Sequence, residues 1–149
     1  MGSQFAVPLI WRIAMVAVIG GAIGAGLARA GQPEKWIATS TASIAVTGDI
    51  VVTDAALVFG DGKRLDWTPI GERRSVWTVL GDDVAGKIYK ISPPSDPELL
   101  NGNTLCGWQV SYIVLSQRSP RSLAVTVFHS AAEPDRFGDE SCAVYFYEK

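Results

Sequence analysis

Two patterns of apolar and polar positions divide the chain. From Ile13 to Leu27 the residues are apolar or glycine throughout, and Arg12 is the only charge before them. Beyond Gly31, short β-branched and aromatic runs alternate with glycine, proline and aspartate, the pattern of strands joined by tight turns. Gln109–Ser116 and Ser122–His129 are the clearest runs. Ile44–Thr53, Ala56–Phe59, Arg64–Trp67, Val76–Leu80, Lys87–Ile91 and Cys142–Tyr147 bring the expected count to about eight strands. Asp61-Gly62 suits a hairpin turn between two of them.

The connections are too short for crossover helices, so neighbouring strands pair antiparallel. The predicted fold is all-β, a small antiparallel barrel or sandwich. One short helical turn is expected near Asp96-Pro97-Glu98-Leu99-Leu100, with Asp96 as N-cap, Pro97 at the first helical position and Gly102 beyond the end. The alternation Leu123, Val125, Val127 continues to His129 and places that imidazole on the apolar face.

The N-terminal pattern predicts a signal peptide over residues 1–30. Ala28-Arg29-Ala30 offers small residues at a cleavage site, and Gly31-Gln32-Pro33-Glu34-Lys35 is polar, as a mature N-terminus should be. The run from Ile13 to Leu27 falls short of the roughly twenty residues that cross a bilayer. Retained as an anchor, it would need extension through Phe5–Trp11. The glycines between Gly20 and Gly26 lack the strand and helix that a phosphate-cradling loop requires. The predicted organisation is a signal peptide over 1–30, a linker over 31–42 and one β domain over 43–149.

That division changes the meaning of the cysteines and of the charge. An exported chain matures in an oxidising compartment, so Cys106 and Cys142, the two cysteines of the 149-residue chain, are expected to pair. Closing the loop between them contributes roughly 2–4 kcal/mol. The bridge would tie the starts of the first and third strands of a C-terminal meander, which lie at the same end. A tetrahedral zinc site is not expected, because one histidine and no Cys-x-x-Cys pair supply too few ligands. The whole chain carries a net charge of −2. Residues 1–30 hold Arg12 and Arg29 and no acid, so the remainder is more acidic still. Basic residues adjoin only at Lys63-Arg64 and Arg73-Arg74, which argues against a nucleic-acid partner.

Candidate chemistry is sparse. His129 is the sole imidazole, and no partners for a nucleophilic triad can be identified around it. Asp82-Asp83, Asp135, Asp139 and Glu140 sit beside glycine or proline, where solvated turns are the ordinary role. A pair of them acting in glycoside cleavage, or a calcium site over 135–140, is the chemical alternative. Trp36, Trp67, Trp77 and Trp108, with Tyr89, Tyr112, Tyr145 and Tyr147, supply enough aromatic surface for a core and for a ligand cavity. Trp67, Trp77, Trp108 and Tyr112 are the candidate binding aromatics, with Trp108 expected to pack on the disulfide. The loop Arg118-Ser119-Pro120-Arg121 is the candidate interaction segment, shaped to enter a trypsin-like cleft as a substrate mimic. Charges at a hairpin tip also simply discourage edge pairing.

The plan of export signal, one disulfide and several short strands resembles that of small periplasmic barrel proteins such as lysozyme inhibitors and lipocalin-like binders. This is a likeness of plan alone, and plan does not fix function. The expectation is a periplasmic or secreted, non-enzymatic binding module with no cofactor. Its partner would be a protein, such as a hydrolase it inhibits, or a small apolar ligand, with membrane contact only if residues 1–30 are retained. The alternatives are a hydrolase acting through loop carboxylates and an envelope structural protein held by an N-terminal anchor.

Overall fold

A computed structural model describes residues 31–138 and 140–149. Residues 1–30, and with them the expected signal peptide, lie outside it. Among the described residues, nine strands form one antiparallel sheet: β1 (Glu34–Ala38), β2 (Ile50–Val52), β3 (Ala56–Val58), β4 (Arg64–Asp66), β5 (Thr68–Val76), β6 (Asp83–Ser95), β7 (Val110–Ser119), β8 (Ser122–Phe128) and β9 (Ser141–Glu148). Their order is β4-β3-β2-β1-β9-β8-β7-β6-β5. The all-β, antiparallel expectation holds. The segment 31–42, expected to be a linker, contributes β1.

Strand β1 turns the corner of this sheet. Glu34–Trp36 pair with β2, and Ile37–Ala38 pair with β9. At the other extreme the two edge strands, β4 and β5, follow one another in the chain with only Trp67 between them. The sheet therefore curls until its edges are joined end to end by one residue. They are not hydrogen-bonded to each other, so the barrel is not closed.

The curl encloses the main core. Trp36, Ile50, Leu57 and Leu65 come from the short strands, while Tyr89, Ile113, Val125, Val127, Tyr145 and Tyr147 come from the long ones. Each large apolar side chain buried there contributes roughly 1.5–3 kcal/mol. Alternation sends the other side chains of the long strands outward, where Trp77, Ile88, Tyr112, Val114 and Phe128 form a second core. Strand β8 is thus buried on both faces.

One end of the curl is plugged by the segment between β6 and β7. Leu99 and Leu105 insert into the main core. Asp96, expected to cap a helix, instead accepts backbone N–H bonds from Leu105 at 2.8 Å, Cys106 at 3.2 Å and Gly107 at 2.7 Å. The helical turn that does form is a 3₁₀ turn at Leu100–Gly102. Cys106 and Cys142 are bridged here, with Cα atoms 5.3 Å apart. The bridge spans β8 and ties the approach to β7 to the start of β9, the arrangement expected from the meander.

Two further expectations are corrected. Ile44–Thr53 is not one strand: Ser43–Thr47 form a π-helical turn before β2 begins. The hydroxyls of Ser40, Ser43 and Thr47 bond to nearby backbone, an alternative to the ladder that serine and threonine readily take. Gly48 then carries φ of 63° and lies against Gly60, where a side chain would be strained and crowded. Val76–Leu80 is not a strand either, since β5 ends at Val76 and Trp77 folds back onto the outer face.

Burial has a titration consequence. Tyr145 donates to the Leu105 carbonyl at 2.7 Å, and burial, followed by the charge of Asp96, pushes its phenol up to about 12. Burial raises Tyr147 as well, against the lowering effect of its hydrogen bond with Thr47. Unfolded tyrosines ionise near about 10, so between there and the folded values only the unfolded chain has lost its protons. Stability should be level below about pH 10 and fall by about 1.4 kcal/mol per pH unit per tyrosine above it. Urea midpoints measured across alkaline pH test this, and a decline of unchanged steepness in Tyr145→Phe would refute it.

Candidate ligand-binding mouth

The end of the curl opposite the disulfide is open. The inward alternation of β6 brings Ala85, Lys87 and Tyr89 to it, and β7 and β8 add Leu115, Gln117 and Leu123. Trp36 of β1 and Val52 of β2 face them. The result is a hollow of about 280 Å³ with an apolar floor of Trp36, Tyr89, Leu115 and Leu123. Glu34, Glu72, Lys87 and Gln117 make its polar rim. A smaller hollow beside it, lined in part by Asp54, shares Glu34, Lys87 and Tyr89.

Tyr89 is fixed from below, its ring stacked on Trp67 with centroids 4.0 Å apart and planes 24° from parallel. Burial, then the charges of Asp54 and Glu34, raise its phenol. It therefore keeps its proton and can donate into the mouth. Lys149 bears on two of these lining residues. Its ammonium sits 4.2 Å from the centroid of the Trp36 ring and 2.6 Å from Glu34 Oε2. Glu72 and Lys87 stand opposite each other in register across β5 and β6, and neither makes an ion pair among the described residues. A buried aromatic floor with a few charged groups at its edge is the usual construction of a small-molecule site.

The four candidate aromatics do not converge. Trp67 reaches the mouth only as the support of Tyr89. Trp77 and Tyr112 belong to the outer core. Trp108 is 68% exposed, lying beside His129 with ring centroids 6.1 Å apart rather than buried against the disulfide. His129 itself is exposed, because the inward alternation of β8 ends at Val127 and the strand stops at Phe128.

The segment Arg118–Arg121 is a tight hairpin tip and not a free loop. Ser119 pairs with Ser122, leaving Pro120 and Arg121 as the turn. Arg118 meets Asp82 at 2.5 Å, and Arg121 donates to the Lys149 carbonyl at 2.8 Å. The other loop carboxylates are similarly occupied or dispersed: Asp83 pairs with Arg74 at 3.3 Å, Asp135 is exposed, and Asp139 lies outside the described residues. No cluster of three metal-ligating side chains occurs among the described residues, and no helix there is long and apolar enough to cross a membrane.

Sequence reasoning included Trp36 and Tyr89 among the aromatics but did not single them out, and it missed Glu34, Glu72 and Lys87. The available signal was the alternation Ala85-Lys87-Tyr89, which sends a lysine to the same face as a core tyrosine. No protein-family model, curated protein or solved structure matches the chain.

Proposed function

We propose that the chain is an exported, non-enzymatic binding module that holds a small, largely apolar ligand in the open mouth of its curled sheet. The observation that carries this reading is the asymmetry of the two ends. One is plugged by Leu99 and Leu105 and stapled by the disulfide, while the other leaves an aromatic floor accessible beneath a charged rim. A sheet built only for stability would fill both ends, since an unfilled apolar hollow forfeits dispersion contacts. The disulfide supports export, because such bridges persist in oxidising compartments. Inhibition of a protease by the 118–121 hairpin is less well supported, because Arg118 and Arg121 are both engaged within the chain.

The test is a titration of aliphatic and aromatic compounds followed by tryptophan fluorescence, with Trp36 as reporter. Ala85→Arg, which fills the mouth from a half-buried position, should weaken binding by at least about tenfold while leaving the far end folded. Equal binding by this variant, or no response to any compound, overturns the reading. Mass spectrometry of the protein from its natural source tests export, which predicts a species lacking residues 1–30 with both thiols oxidised.

A further inference from the structure

We infer that the mouth selects an organic cation, an ammonium or alkylated ammonium head on an apolar tail. The inference rests on the ligand-binding reading above and specifies its ligand.

Its basis is the position of Lys149. An ammonium is held by two residues that line the mouth: the face of Trp36, 4.2 Å from the nitrogen, and the carboxylate of Glu34, 2.6 Å away. An aromatic face attracts a cation through its quadrupole, and most strongly when that face belongs to tryptophan. A carboxylate at the edge supplies the counter-charge. The chain's own lysine thus occupies a subsite for its chemical class. Its side chain remains 40% exposed, so a competing ammonium can displace it without unpacking the core.

The surrounding charges favour the same sign of ligand. Among the described residues that line the mouth, the carboxylates of Glu34 and Glu72 face a single cation, Lys87, and Asp54 adds a third carboxylate in the adjoining hollow. An anionic head would be repelled by more charges than attract it. The tail has its place on Leu115 and Leu123 of the floor. Exchanging one ammonium for another leaves the ion-pair count unchanged, so the preference comes from the tail and from the better stacking of an alkylated head.

Calorimetry at low ionic strength tests this with three probes of equal chain length: hexyltrimethylammonium, hexanol and hexanoate. The ammonium should bind about tenfold or more tighter than either of the others, and added salt should weaken it. Lys149→Met keeps the aliphatic stem and removes the internal competitor, so it should tighten the ammonium probe about threefold to tenfold. Glu34→Gln should loosen it by a similar factor. Circular dichroism and thermal midpoints confirm that each variant is folded. Hexanol or hexanoate binding as tightly as the ammonium overturns the cation assignment but preserves a ligand-binding mouth. Binding unchanged by Lys149→Met also overturns it. Failure of all three probes to bind removes the assignment, and the broader titration described above then decides whether the mouth binds anything else.

Discussion

Truncating Trp77 to alanine should destabilise the fold by about 3–5 kcal/mol, a large part of the roughly 5–15 kcal/mol that a domain has in total. Trp77 is fully buried (0% exposed) on the outer face of the sheet, away from the mouth. Its ring meets Phe128 edge-on at 6.4 Å, and its Nε1 donates to the Arg73 carbonyl at 3.1 Å. The backbone carbonyl of Trp77 accepts the buried Thr126 hydroxyl at 2.7 Å. Loss of the indole leaves that site empty, since Val79 and Leu80, the other large apolar residues of the loop after β5, are exposed. Urea denaturation gives the magnitude, and a loss below about 1 kcal/mol would show that the outer core collapses without cost.

The same residue explains a glycine in mid-strand. A Cβ on Gly86 would lie 2.3 Å from Trp77 Nε1, so β6 gives up a side chain to let the indole lie flat on the sheet. Gly86→Ala alone should cost about 1–3 kcal/mol through overpacking. Once Trp77 is alanine, the added methyl no longer meets the indole and relieves the entropic cost of glycine. The double variant should then be no less stable than Trp77→Ala. That non-additivity is the signature of direct contact, and additive losses would sink the account.

Legibility of the fold followed the strength of local pattern. Strands β7, β8 and β9 were readable because β-branched and aromatic residues dominate them and polar turns separate them. Strand β1 was not, since Glu34 and Lys35 precede Trp36 and only that one side chain is fully buried within it. Strand β5 lies earlier in the chain than its apolar pattern suggests. Its residues Thr68–Val76 are almost all exposed, whereas the apolar Val76–Leu80 that follows resembles a strand and is a turn. The curl itself had no local signal: it depends on β1 changing partners between β2 and β9, a pairing of residues more than a hundred positions apart. The mouth was illegible for the same reason. Its floor is assembled from β1, β6, β7 and β8, and a tryptophan that closes a core looks in sequence like one that lines a cavity.

The disulfide was legible, and its expected effect separates stability from function. Cys106 and Cys142 are 36 positions apart, so opening the bridge by reduction, or by replacing both with alanine, should cost about 2–4 kcal/mol by freeing the unfolded chain. The plugged end nevertheless has a second restraint. The Asp96 carboxylate gathers three backbone N–H groups, of Leu105, Cys106 and Gly107, whether or not the sulfurs are joined. Asparagine at position 96 keeps one acceptor oxygen and turns a donor toward the other N–H groups, a change worth about 1–3 kcal/mol. Reduced wild-type protein should therefore stay folded with a lower urea midpoint, and reduced Asp96→Asn should have a midpoint lower still, by the added loss of about 1–3 kcal/mol. Because this staple lies at the end remote from Trp36 and Tyr89, the reduced but folded protein should bind ligand with unchanged affinity. Weakened binding without unfolding would mean that the two ends of the curl are coupled, and that the bridge shapes the mouth as well as holding the fold.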